Sequence, residues 1–269
     1  MSNKLSLIWF IYKYGIEKYF LKNFKIYAPS VAGDSKLKGK HTIKTINLIF
    51  PLISQLLLKL NIKSKIINSK SFCKNKNRTK NSLVIKKLFD FYGSDKANYH
   101  DYHLIYSSIF SNNLRVKKIL EIGIGTDNKN MLSNMGENGK PGASLKALRD
   151  FFKNAKVYGA DIDKNILFND LRIKTSYVDQ TSEASIAKLF KKFGNSFDLI
   201  IDDGMHSPSA NLNVILSTIK YLKKGGCLVI EDISYNSIAI WHTISSIVGV
   251  KHKNFLIKCK EAYMFIIYK

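Results

Sequence analysis

The chain has 269 residues, 45% hydrophobic and 12% aromatic with only 4 Pro and 15 Gly, so it can bury a sizeable core; wholesale disorder and a fibrous repeat are excluded. Its formal charge of +23 is uneven, because residues 1–80 hold 17 Lys and Arg against 2 acids whereas residues 81–269 hold 26 against 18. Cys73, Cys227 and Cys259 are an odd set without a close pair, which fits neither a disulfide framework nor a zinc site and points to a reducing compartment.

Residues 1–27, rich in aromatics (Trp9, Phe10, Tyr12, Tyr14, Tyr19, Phe20), read as a helix followed by a loop through Pro29, Gly33 and Gly39. Residues 42–60 read as a second helix, with Pro51 as a kink or break. The apolar run Leu5–Tyr12 stops at Lys13 without a cleavage site, so it is not a secretory signal. Ile46–Leu60, interrupted by Asn47, Pro51, Ser54 and Gln55, falls short of the ~20 residues a bilayer crossing needs. Its flanks Lys44, Lys59, Lys63 and Lys65 would let it lie on a membrane surface, although packing on its own domain is the simpler expectation. The polar tract Asn68–Ser82, with Lys70, Lys74, Lys76, Arg78 and Lys80, reads as a linker. The expected division is therefore a basic, mainly helical appendage with linker over 1–82 and a main domain over 83–269.

From Leu83 onward, short Ile-, Val- and Leu-rich runs alternate with amphipathic stretches, the pattern of parallel strands joined by helices. Strands are expected at Lys118–Ile122, Lys156–Asp161, Ile173–Val178, Phe197–Asp202 and Gly226–Glu231. Helices are expected near Ala143–Lys153, Glu183–Lys192 and Ser209–Leu222, and Phe255–Lys258 with Ala262–Tyr268 should close the sheet as an antiparallel hairpin. The fold class is a Rossmann-like, doubly wound α/β domain with a mostly parallel sheet.

Polar groups gather at the expected strand ends. Glu121, Gly123 and Gly125 end the first strand, where glycines allow a tight turn and close approach of a ligand. A dinucleotide fingerprint would need a third glycine three residues on, but position 128 is Asn, and Glu121 would repel a pyrophosphate. Asp161 ends the second strand, where a ribose diol would find an acceptor, and Asp179-Gln180 end the third, suited to an adenine edge. Asp202, Asp203 and His206 end the fourth strand, and Glu231 and Asp232 the fifth. Like charges ~4 Å apart cost roughly 4 kcal/mol at an effective dielectric of ~20, so a cation should sit among these acids. Hard oxygen donors suit a magnesium-class ion.

Together, Lys118–Thr126, Tyr158–Asp163, Asp179-Gln180, Asp202–His206 and Gly225–Asp232 resemble class I S-adenosylmethionine-dependent methyltransferases, and most of all the metal-dependent macrolide-sugar O-methyltransferases of the mycinamicin and macrocin type. Tyr92-Gly93-Ser94-Asp95-Lys96, with His100, Tyr102, Tyr106 and Phe110, and Gly142–Leu145 with Arg149, extend the resemblance over residues 83–269. It implies that Glu121, Gly123, Gly125, Ser144, Asp161, Gln180, Lys96 and Tyr102 hold S-adenosyl-L-methionine, and that Asp203, Glu231 and Asp232 hold Mg2+ or a similar divalent cation. His206 would be the general base, with Asp202 behind it in the catalytic group. Ser107 stands where relatives often have an acid, and residues 1–80 match no familiar motif.

The expected reaction is O-methylation of a sugar hydroxyl on a glycan, glycolipid or glycosylated metabolite. An RNA methyltransferase using the basic segment is the first rival, weakened by the absence of an RNA-binding motif. A non-catalytic protein with a decayed pocket is the second, although every acid and the histidine are present. The expected location is cytoplasmic, with residues 1–80 meeting an anionic membrane surface or glycan, and a homo-oligomer is left open.

Overall fold

The computed structural model describes residues 2–62, 64, 66–73, 76–110, 112–136 and 139–269, with the backbone alone for 2–6 and 76–79. Lys63, Lys65 and Lys74, and the side chains of Leu5, Lys76 and Arg78, lie outside the described residues. The contacts divide the chain into two units, 1–63 and 64–269.

The first unit is helical. The single helix expected over 1–27 is two, α1 (Ser2–Tyr14) and α2 (Ile16–Asn23), because Gly15 adopts φ 83° between them. The next helix, α3 (Ser35–Lys59), starts seven residues earlier than the expected 42, because the Asp34 carboxylate caps it by accepting from the Lys36 and Leu37 amides, each at 2.9 Å. Gly39, expected in a loop, lies inside α3 against the α2 backbone, where a Cβ would come 2.3 Å from the Glu17 carbonyl oxygen. Pro51 sits within α3 without ending it. At 25 residues, α3 extends beyond Ile46–Leu60 and is long and apolar enough to cross a membrane by length and composition only.

The second unit begins before the expected boundary. In chain order it comprises β1 (Ile66–Asn68), α4 (Ser69–Phe72), α5 (Lys76–Tyr92), α6 (Tyr102–Tyr106), β2 (Lys118–Ile122), α7 (Ala143–Phe151), β3 (Lys156–Asp161) and β4 (Asn169–Asp170). There follow β5 (Ile173–Tyr177), α8 (Glu183–Phe193), β6 (Phe197–Asp202), α9 (Pro208–Thr218), β7 (Leu222–Ile233), α10 (Ile238–Val248), β8 (Asn254–Lys258) and β9 (Tyr263–Tyr268). The tract expected to be a linker is structured instead: β1 pairs in parallel with β8, and α5 buries Ser82, Ile85 and Phe89 along one face.

The strands form a nine-stranded sheet in the order β1-β8-β9-β7-β6-β2-β3-β5-β4. β7, β6, β2, β3 and β5 run parallel, and β9 lies antiparallel between β7 and β8 as the expected hairpin. Alternate residues of the central strands feed opposite faces. Ile119, Val157 and Leu199 meet Ile85, Phe89 and Leu148 on one side, while Leu120, Ile122 and Ile200 meet Ile186, Phe190 and Trp241 on the other. Strand order reverses at β2, so the carboxyl ends of β2 and β6 border the crevice where open α/β sheets bind ligands.

β7 carries one irregularity that matters for the site. Ile230 pairs with Phe265 and Ile233 with Tyr263, so an extra residue on β7 forms a bulge at Glu231-Asp232, with Asp232 at φ 53°. The bulge re-aims two consecutive side chains that a regular strand would send to opposite faces.

Candidate functional site

A cavity of about 490 Å3 opens at the carboxyl ends of β2, β3, β5, β6 and β7. Its walls include Gly123, Gly125, Ser144, Asp161, Gln180, Asp203, His206, Glu231 and Asp232, together with Lys96 and Tyr102. The turn after β2 needs glycine. Gly123 adopts φ 85° and a Cβ there would lie 2.2 Å from the Asp203 carbonyl oxygen; Gly125 adopts φ 80° against the Met135 sulfur. The Asp161 carboxylate holds this turn, one oxygen accepting the Ile124 amide at 2.8 Å and the other the Asp163 amide at 2.9 Å. Asp163 caps the next turn through the Asn165 amide and takes the Thr126 hydroxyl at 2.6 Å.

The acids at the other end surround a buried cation supplied by the chain itself. The Lys96 ammonium donates to Asp203 at 2.6 Å and to Glu231, and lies 3.3 Å from Glu121. Burial opposes its charge, but Asp203, Glu231 and Glu121 outweigh that and hold its pKa well above the ordinary lysine value. Burial pushes the Glu121 carboxyl up to about 7 despite Lys96 and the Ser144 hydroxyl, which donates at 2.8 Å. It pushes Glu231, which also accepts the Tyr106 hydroxyl, well up from the ordinary range. Asp232 differs. Burial works against its ionisation, yet His206, His100 and the Tyr102 hydroxyl, which donates at 2.5 Å, keep its carboxyl below the ordinary range. Its Oδ2 lies 3.8 Å from His206 Nε2, and its Oδ1 lies 3.3 Å from His100 Nδ1. His206, like Asp232, sits in the left-handed region, at φ 55°.

No family model matches the chain. It is 29% identical over 143 residues to the 8-demethyl-8-alpha-L-rhamnosyl tetracenomycin-C 2'-O-methyltransferase of Streptomyces olivaceus, a match covering 53% of this chain and 35% of that one. The mycinamicin VI 2''-O-methyltransferase of Micromonospora griseorubida is 32% identical over 91 residues, covering 34% of this chain and 23% of that one. The demethylmacrocin O-methyltransferase of Streptomyces fradiae is 32% identical over 116 residues, covering 43% and 27%. The matched stretch thus spans about a quarter to a third of each relative's length. The solved MycE methyltransferase of the mycinamycin pathway, in complex with Mg and SAH, superimposes with a TM-score of 0.55 at 22% identity, covering 69% of this chain and 54% of that one.

The fold is that of the methyltransferases. Within this methyltransferase fold, the residues named from sequence divide into three groups. Gly123, Gly125, Ser144, Asp161 and Gln180 line the cavity, but Gln180 is engaged at both ends of its amide, accepting the Met205 amide at 2.7 Å and donating to Asp202 at 3.1 Å. Lys96 and Tyr102, expected beside the cofactor, also line the cavity, with their polar atoms donating to Asp203 and Asp232. Glu121 and Asp202 do not line the cavity: both are fully buried behind its wall, and Asp202, pushed up to about 6 by burial, also takes the Asn211 amide at 2.9 Å.

The donor chemistry fits a hard divalent cation. Among the described residues, Asp203, His206 and Asp232 each offer a ligand atom, all within 4.8 Å of one another. Glu231, expected as a ligand, is outside that group, held by Lys96 and Tyr106. The glycine turn, the Asp161 carboxylate and the Ser144 hydroxyl, all lining the cavity, fit an adenosyl amino acid. His206 does not cap α9, a role taken by Ser207, and its Nδ1 has no hydrogen-bond partner among the described residues. Tyr106 and His100 were named in the resemblance without a role; the four-residue spacing of Tyr102 and Tyr106, one face of α6, was the available signal.

Proposed function

We propose that the chain catalyses S-adenosylmethionine-dependent, divalent-metal-assisted O-methylation of a sugar hydroxyl on a glycosylated acceptor. What supports this reading is the meeting, in one cavity, of the glycine turn braced by Asp161 with the Asp203–His206–Asp232 group, in a chain similar to sugar O-methyltransferases. S-adenosylmethionine would supply the methyl group, and a magnesium-class ion held by Asp203 and Asp232 would supply Lewis acidity toward the acceptor. Gly123, Gly125 and Asp161 bind the adenosyl half, with Ser144, held by Glu121 behind the wall, toward its amino-acid end. His206 takes the acceptor proton at Nε2, the ring nitrogen nearer Asp232. Asp232 stabilises the imidazolium that forms, and Asp202, through Gln180 and Asn211, fixes the loop that carries His206.

The test is transfer of labelled methyl from S-adenosylmethionine to a panel of glycosides with free neighbouring hydroxyls. Transfer should stop in chelator and return with magnesium. Asp203→Ala and Asp232→Ala should abolish transfer while calorimetric binding of S-adenosylmethionine persists. Full turnover in chelator removes the metal from the mechanism, and methylation of RNA with no glycoside turnover replaces the acceptor class.

A further inference from the structure

The first unit carries chemistry that methyl transfer does not use. Residues 1–63 hold 11 Lys against 2 acids, Glu17 and Asp34, and the Asp34 carboxylate is engaged as the cap of α3. The lysines Lys36, Lys38, Lys40 and Lys44 lie in the first ten residues of α3, whereas Thr45–Leu58 has no charged side chain. Along that uncharged half, Leu48, Leu52 and Leu56 recur every four residues and are 39%, 58% and 55% exposed. Leu58, Leu60 and Ile62 continue the apolar surface, and α1 adds Ile8, Trp9 and Tyr12, also exposed. The Lys13 ammonium lies 4.7 Å from the centre of the Trp9 ring. An apolar leucine ridge, neighbouring lysines and exposed Trp and Tyr form the composition that seats a helix at a lipid–water boundary.

We infer that this unit docks the chain on an anionic phospholipid surface, with the Leu48–Leu52–Leu56 ridge in the acyl boundary and the lysines of the first turns of α3 against the headgroups. Charge complementarity selects the occupant: a unit with 11 Lys against 2 acids repels a second copy of itself and is attracted to anionic headgroups. The helix lies along the surface rather than across it. The uncharged stretch, at 1.5 Å per residue, is about 21 Å long, whereas a hydrocarbon core is ~30 Å thick.

The experiment is co-sedimentation of the full chain with vesicles of phosphatidylglycerol or of phosphatidylcholine, with Trp9 fluorescence as a second readout; Trp241, the other tryptophan, is 1% exposed and provides a constant background. Binding to phosphatidylglycerol vesicles, weakening with salt and accompanied by a blue shift of Trp9, is expected. Leu52→Ser with Leu56→Ser should weaken binding at least roughly tenfold, since each leucine is more than half exposed and would bury that apolar surface on docking. These positions are solvent-exposed, so the variants should keep the far-ultraviolet dichroism and S-adenosylmethionine binding of the parent. Equal binding to both vesicle types, no binding to either, or a leucine variant that binds as the parent does overturns the inference. So does a shift in oligomeric state with these variants in lipid-free buffer, which would assign the ridge to a second copy, and so does resistance to extraction by alkaline carbonate, which would mean a spanning helix. None of these outcomes bears on methyl transfer to soluble glycosides.

Discussion

Lys96→Met removes the cation from the centre of the acid cluster and keeps the length of the side chain. Lys96 is 3% exposed and its partners Glu121 and Glu231 are fully buried, so solvent screening is slight. Breaking a buried pair by deleting one partner costs about 3–5 kcal/mol. For a unit of this size, ~1 kcal/mol shifts Tm by roughly 2–4 °C, which places the expected fall at roughly 6–20 °C. The loss should depend on pH in a defined direction. Glu121, already pushed up to about 7, and Glu231, also raised, rise further without the ammonium and take up protons as pH falls, so they become neutral and need no counterion. Scanning calorimetry should therefore show a large drop at pH 8 and a smaller one at pH 5. Magnesium should recover part of the drop at pH 8, because a ligand at a hundredfold its Kd adds about 2.7 kcal/mol to the folded state. An unchanged Tm, or equal losses at the two pH values, would refute the assignment of Lys96 as the counter-charge.

Gly123→Ala should abolish S-adenosylmethionine binding by calorimetry, since a Cβ would meet the Asp203 carbonyl oxygen at 2.2 Å in a positive-φ turn; retained affinity would mean that the turn is not part of the pocket. Asp202, ionised in the unfolded chain from about 4 but pushed up to about 6 in the fold, binds more protons when folded between those values, so its contribution to stability falls as pH rises through that window and levels off above it. Two units correspond to about 3 kcal/mol, and Asp202→Asn should flatten that part of a Tm-against-pH curve.

The central sheet was legible because its strands are buried on both faces and written as short branched-aliphatic runs: Lys118–Ile122, Lys156–Asp161 and Phe197–Asp202 appear with the bounds read from sequence. α5 was not legible, since its exposed face is a lysine- and asparagine-rich tract and its buried face rests on the sparse series Ser82, Ile85 and Phe89. α10 passed unnoticed because it is apolar nearly all round and has no stripe to mark it, although Trp241 packs in the core. Within the site, the crowding of acids on adjacent strand ends correctly called for a cation. The chain's own Lys96 fills that role, a contact no local pattern announces because its partners Asp203 and Glu231 are 107 and 135 residues away.

The same bridge constrains the order of folding. Glu121, Asp203 and Glu231 belong to the ends of β2, β6 and β7, but the ammonium that neutralises them arrives from the segment between α5 and α6. A sheet that has closed without that segment leaves its acids either wet or protonated, so they favour an open edge until α5 and α6 dock. Closing loops of this length is slow relative to local helix formation. Pulse-labelling hydrogen exchange during refolding should therefore find β2, β3 and β6 protected before the amides of residues 94–106, and the substrate crevice assembled in the last step.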